Sequence, residues 1–120
     1  MKIAIGGLKK NFMEEAIKKA DPSIETVITT DIMAVPMLKG GQVDYYFGAC
    51  ESGGGAAISI LIGMVGYSKC CTVAKNGQTA RKDDIIKHIQ SGKIVFGMAH
   101  DTIDRTVPVL IEALKETVTQ

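Results

Sequence analysis

A chain of 120 residues with 46% apolar and 22% charged residues is a single globular domain, long enough to bury a core. The net charge is +1, no basic block stands out, and three Tyr, three Phe and no Trp are scattered along it, so nucleic acid and anionic membranes are excluded as expected partners. The longest apolar stretch, residues 56–65, falls well short of the roughly 20 residues a membrane-spanning helix needs.

Strand and helix patterns alternate from end to end. Residues 2–5 read as a strand and not as a signal peptide, because no sustained apolar region or small-residue cleavage site follows. Residues 11–20 form an amphipathic helix with Phe12, Ala16, Ile17 and Ala20 on one face, stopped by Asp21-Pro22. Residues 25–29 are a second strand, after which Thr30 or Asp31 caps a helix that Pro36 kinks and Gly40-Gly41 ends. Residues 43–47 give the third strand and 54–65 the third helix. A fourth strand at 70–73 precedes an Asn76-Gly77 turn, then come a polar-faced helix at 82–90 and a fifth strand at 94–98. The last helix spans 101–118, with Pro108 either kinking it or marking its start. Three cysteines form an odd set without metal-type spacing, which fits a reducing cytoplasm and implies neither metal nor cofactor.

Five strands alternating with five helices imply a three-layer α/β/α, Rossmann-like domain around a five-stranded parallel sheet. Such sheets bind ligands at the carboxyl ends of their strands, beside a topological switch point. If the order begins 2-1-3, Gly6-Gly7 lies opposite the segment Cys50-Glu51-Ser52-Gly53-Gly54-Gly55. That segment is the strongest functional signal in the chain. A strand that enters a glycine cluster and leaves as a helix turns backbone N–H groups inward and builds an anion cradle.

The candidate anion-binding set is therefore Gly6, Gly7, Ser52, Gly53, Gly54 and Gly55, and the ligand a small anionic metabolite. Cys50 is either a small buried hydrophobe or a thiol made reactive by the field of the loop and helix. Ser52 either donates to an oxyanion or caps the helix. Glu51 can turn out to solvent, serve acid–base chemistry or favour a ligand with a hydroxyl or amine. His100, just beyond the fifth strand, is either a general acid–base or a surface histidine, and Lys75 and Arg81 are possible partners. Cys70 and Cys71 lie mid-strand and are expected to pack on opposite faces of the sheet. The helix at 54–65 is apolar almost all round, which points to a homo-oligomer buried through it.

Two resemblances meet in these residues. Lys2 to Gly6, Gly41-Gln42-Val43-Asp44-Tyr45-Tyr46, Gly48-Ala49-Cys50, Gly66-Tyr67, Cys71-Thr72-Val73-Ala74-Lys75 and Val95-Phe96-Gly97 resemble the YhfU family of uncharacterised bacterial proteins. That resemblance implies an association with uptake or catabolism of a small metabolite, with a membrane transporter as a possible partner. Met1 to Gly6 and Val43 to Ala57 are similar to ribose-5-phosphate isomerase B and galactose-6-phosphate isomerase. In that family the third strand ends in Cys-Gly-Thr-Gly-x-Gly. Carried over, Cys50 would be the base, Ser52 the hydroxyl partner, and Gly53 and Gly55 the oxyanion cradle. The family's Asp-His after the first strand is here Leu8-Lys9, and the glycine that follows its cysteine is Glu51.

The expected function is thus binding of a small anionic or phosphorylated metabolite at the Cys50 loop, as an isomerase-like enzyme or an accessory of a transport system. Two alternatives remain: a phosphoryl carrier resembling the B component of a phosphotransferase system, and a non-catalytic module docking on a transporter. A Cys-x5-Arg phosphatase is excluded, since Ala56 stands at the arginine position, and no Gly-Lys-Ser/Thr nucleotide loop occurs.

Overall fold

The computed structural model describes residues 1–118. Five short runs rich in β-branched and small apolar residues become strands: β1 (Lys2–Gly7), β2 (Glu25–Ile28), β3 (Tyr45–Cys50), β4 (Cys70–Ala74) and β5 (Val95–Ala99). They form one sheet of order β2-β1-β3-β5-β4, every pair parallel. Ile3, Ala4 and Ile5 in β1 and all of β5 are buried, as expected of strands covered on both faces. The three-layer α/β arrangement and the 2-1-3 start are as the alternating pattern implied. The chain leaves β1 for one side of the sheet and returns to its other side as β3, so the switch point lies between these two strands.

Side-chain alternation divides the interior in two. On one face α1 (Lys10–Ala20), α4 (Lys82–Gln90) and α5 (Ile103–Val118) pack on Ile3, Ile5, Phe47, Phe96 and Met98, with Met13, Ile17, Ile85 and Leu110 supplied from the helices. Phe47 and Phe96 meet edge to face at 5.9 Å. On the other face α2 (Asp31–Lys39) and α3 (Ser59–Met64) cover Ala4, Tyr46, Cys70 and Val95 through Ala34, Val35, Leu38 and Leu61. Cys70 and Cys71 take opposite faces, each packed against its own core.

Several boundaries differ from the sequence reading. β1 runs on through Gly6 and Gly7 because the ladder with β3 continues to the Gly7–Ala49 pair. β3 starts two residues later than expected and ends at Cys50; Asp44 instead accepts a hydrogen bond from the Lys2 backbone N–H at 2.8 Å. The third helix is the largest departure. Gly53 and Gly55 have φ of +75° and +99°, which no right-handed helix accommodates, so helical turns begin only at Ala56 and α3 proper spans six residues. Pro36 and Pro108 both lie inside their helices, at exposed positions. Among the described residues no helix is long and apolar enough to cross a membrane.

Candidate functional site

The register sets Gly6 beside Gly48 and Gly7 beside Ala49, which opens a crevice at the carboxyl ends of β1 and β3. A cavity of about 350 Å³ lies there, lined by Gly7, Leu8, Asp31, Cys50, Ser52 and Ala57 among others. Gly7 is required by close approach: it has φ +78°, and a Cβ on it would sit 2.2 Å from the Ala49 carbonyl oxygen. Lys9 follows in the left-handed region (φ 52°), a strained conformation for a lysine, and opens α1 without a side-chain cap. Asp31 is the first residue of α2, capped by Thr30, whose hydroxyl accepts from the Met33 N–H.

Cys50 is the last residue of β3 and only 7% exposed. The glycine-rich loop folds back over it, and the Gly53 N–H donates to its Sγ at 3.1 Å. Burial alone would raise the thiol pKa, but the backbone N–H groups of Ala57, Gly53, Ser52 and Gly55 outweigh it and hold the pKa below the ordinary thiol value. These donors come from an irregular loop and a 3₁₀ turn; a six-residue α3 contributes little as a dipole. Burial instead pushes Cys71 up to about 12 and raises Cys70. Of the three thiols, Cys50 alone is in a setting that favours the thiolate.

The remaining candidates find definite places. Gly53 packs where the loop crosses β4 and β5; a Cβ there would meet the Ala74 carbonyl oxygen at 2.5 Å and the Ala99 nitrogen at 3.1 Å. The Ser52 hydroxyl accepts from the Gly54 N–H at 3.3 Å, so it closes its own turn and caps no helix. Gly6 lies within the sheet, not on the loop rim. Glu51 points outward, 86% exposed, with its carboxylate 3.7 Å from His100 Nε2. His100 opens a 3₁₀ turn after β5, half-buried, and its Nδ1 is buried without a hydrogen-bond partner among the described residues. Arg81 faces a different cavity, of about 490 Å³, with Thr72, Asp84 and His88. The Lys75 backbone abuts Gly53 and its side chain is exposed.

Two partners of the loop went unnoticed in the sequence. Asn76 donates from Nδ2 to the Glu51 carbonyl at 2.8 Å and to Asp101 at 2.9 Å, and its N–H donates to the Ser52 carbonyl at 3.2 Å. Asp101 also accepts from the Gly77 N–H at 3.0 Å, and these donors hold its carboxyl below the usual range. The loops after β3, β4 and β5 are thereby stitched into one rim. The Asn76-Gly77 turn signal marked the place but not this bridging role. Tyr46, also unmarked, lies wholly buried across Gly48 and Gly6. Among the described residues no group of three His, Cys, Asp or Glu side chains could hold a metal ion.

Comparison with known proteins bears on this arrangement. In solved structures the fold is similar to a 4-deoxy-L-threo-5-hexosulose-uronate ketol-isomerase complexed with tartrate (TM-score 0.71, 19% identity, 97% of this chain); the match spans 64% of that enzyme's chain. It is also similar to ribose-5-phosphate isomerase B from Giardia lamblia (TM-score 0.67, 14% identity, 96% of this chain and 94% of the other). A mutant of the type B isomerase from Trypanosoma cruzi matches at TM-score 0.66 and 15% identity, over 95% of this chain and 82% of the other. At these identities the likeness establishes the fold alone. In sequence, the uncharacterized protein YhfU of Escherichia coli K12 and that of Shigella flexneri are each 41% identical over 115 residues, 95% of this chain and 98% of theirs. The model of a protein family of unknown function, DUF2620, matches residues 1–114, and the chain belongs to that family together with YhfU.

Proposed function

We propose that this protein binds a small anionic or phosphorylated, sugar-like metabolite in the crevice between β1 and β3 and acts on it as an isomerase-like enzyme, with Cys50 as the base. The observation that carries this reading is the convergence of loop N–H groups on the Cys50 sulfur at the sheet's switch point. A thiolate there takes the proton from the hydroxyl-bearing carbon next to a carbonyl, leaving an enediolate, and returns it to the neighbouring carbon. Ser52, on the crevice wall, stabilises the enediolate oxygen, Gly7 lets β1 close onto the Ala49 carbonyl and Gly6 seats Tyr46, while Gly54 and Gly55 line a separate cavity with Cys70 and Cys71. His100, beside Glu51, moves the proton between the two ligand oxygens. The fold shared with ketol- and pentose-phosphate isomerases supports the reaction class. Free thiols fit a reducing cytoplasm as the working compartment.

The test is proton exchange. Wild type and Cys50→Ala are incubated in heavy water with ribose 5-phosphate, galactose 6-phosphate and tartrate, and followed by proton NMR and calorimetry. The reading expects binding of at least one sugar phosphate and solvent exchange at its carbinol carbon, abolished in Cys50→Ala. Absence of binding across the panel contradicts it. Binding without exchange reduces the protein to a carrier or accessory of a transport system.

A second part of the reading concerns assembly. Met64 at the end of α3 is 55% exposed, the adjacent Tyr67 is 77% exposed, and α2, packed beside α3, exposes Ile32 (60%) and Met33 (56%). Four large apolar side chains exposed along this layer support a homo-oligomer formed through α2 and α3. Sedimentation is expected to show a closed oligomer that Met64→Glu dissociates. A stable wild-type monomer would transfer this surface to another partner, such as a membrane transporter's cytoplasmic face.

A further inference from the structure

Tyr46 lies directly behind the crevice, outside the lining of its cavity, and its hydroxyl is what packing does not explain. It is wholly buried on the same face of β3 as Cys50, four residues before it. Its ring lies over Gly48, where a Cβ would come within 2.8 Å, and its hydroxyl stops over Gly6 on the neighbouring strand, where a Cβ would come within 2.1 Å. Neither glycine has a positive φ, so both keep space for this ring and not backbone freedom. The side chain is thus laid along β3 toward the carboxyl ends, and its oxygen stops one residue short of Gly7, which lines the cavity with Asp31 and Cys50.

That oxygen is buried and has no hydrogen-bond partner among the described residues. An unpartnered buried hydroxyl carries a desolvation penalty that phenylalanine, filling the same space, would avoid. Burial, then the nearby Asp31 carboxylate, push the phenol pKa well above its ordinary value, so it stays protonated and can donate. Asp31, on the wall of the crevice, is an acceptor and would repel a phosphate or carboxylate group placed there.

We propose that Tyr46 is a ligand-binding residue whose hydroxyl, with Asp31, holds the uncharged, hydroxyl- or carbonyl-bearing end of a polyhydroxylated ligand over the sheet, leaving the anionic end to the Ser52 side of the crevice. The inference rests on the crevice being the ligand site. It adds the orientation of the ligand, with the hydroxyl or carbonyl end toward Tyr46 and the anionic end away from Asp31.

Calorimetry of wild type and Tyr46→Phe with ribose 5-phosphate and with inorganic phosphate, beside thermal melts of both proteins, tests it. Tyr46→Phe is expected to melt no lower than wild type, to bind ribose 5-phosphate at least tenfold more weakly, and to bind inorganic phosphate as wild type does. Equal affinity of the two proteins for ribose 5-phosphate overturns the role of Tyr46 and leaves the crevice reading standing. A much lower melting temperature in the variant also overturns it, by revealing a structural partner for the hydroxyl. If wild type binds neither probe, the crevice reading fails and this inference falls with it.

Discussion

The two faces of the sheet solve different problems. Under α1, α4 and α5 lies a continuous core of large side chains, closed by the Phe47–Phe96 contact and by a sixteen-residue α5 with Val107, Leu110, Ile111 and Leu114 buried. Under α2 and α3 the core is smaller and carries a buried phenol without a hydrogen-bond partner among the described residues, a cysteine surrounded by backbone donors, and two glycines kept as space for an aromatic ring. The α5 side also carries a buried hydroxyl without a hydrogen-bond partner among the described residues, at Thr106. The contrast therefore rests on Cys50 and on the glycine seat of Tyr46, and the proposed function reads it as a division between holding the fold and meeting a ligand.

That contrast can be broken by substitution. The largest effect is expected from Phe96→Ala: on the α1/α4/α5 side it removes a fully buried ring and should cost about 3–5 kcal/mol in urea unfolding, a large share of a small domain's stability. Gly53→Ala comes next. Its Cβ would strike the Ala74 carbonyl, and the positive φ adds strain of about 1–3 kcal/mol. The loop must lift, so alkylation of Cys50 by iodoacetamide, followed by peptide mass analysis, should lose its lead over that of Cys71. If both of these variants damage stability and Cys50 reactivity equally, the two faces are not functionally distinct.

Smaller effects sharpen the same contrast. Asn76→Ala should cost about 1 kcal/mol in a thermal or urea melt, since it unties the loops after β3 and β4. Proteolysis is then expected to cut first within the Cys50 loop. The smallest effect is on pH dependence. Asp21, held at about 2 by the Ser23 hydroxyl and N–H and then by Lys115, and Asp101, held low by Gly77 and Asn76, are both carboxyls with depressed folded pKa values. Such groups add stability above the unfolded carboxyl value of about 3.9 and lose it as pH falls toward 2. Asp101→Asn should therefore flatten the fall in melting temperature over that window; an unchanged curve would remove Asp101 from the rim's support.

Much of the architecture was legible because its causes are local. Alternating apolar runs gave the five strands, and the switch point followed from the order expected of a parallel sheet. The third helix was misjudged because an apolar run following glycines looks helical by hydrophobicity, whereas Gly53 takes a positive φ where the loop packs on Ala74 and Ala99, and Gly55 takes another with open space around it. Cys50 could be singled out from its place at a strand end. Its environment could not, since the donors on its sulfur come from a turn whose conformation is tertiary. Gly6 and Gly48 looked like a binding rim and a plain strand residue; only the register between β1 and β3 shows them as the two halves of a seat for Tyr46. Asn76 was visible as a turn former, and its bridge from Glu51 to Asp101 spans residues 25 apart in each direction.

In the proposed function the loop lowers the Cys50 thiol pKa and so favours its thiolate. The pH dependence of Cys50 alkylation tests it most directly, measured peptide by peptide with Cys71 as the internal reference. Cys50 is expected to react with a midpoint below the ordinary thiol value of about 8.5, and that midpoint to rise in Gly53→Ala while that of Cys71 stays high. A Cys50 midpoint at or above the ordinary thiol value, insensitive to Gly53, would contradict it.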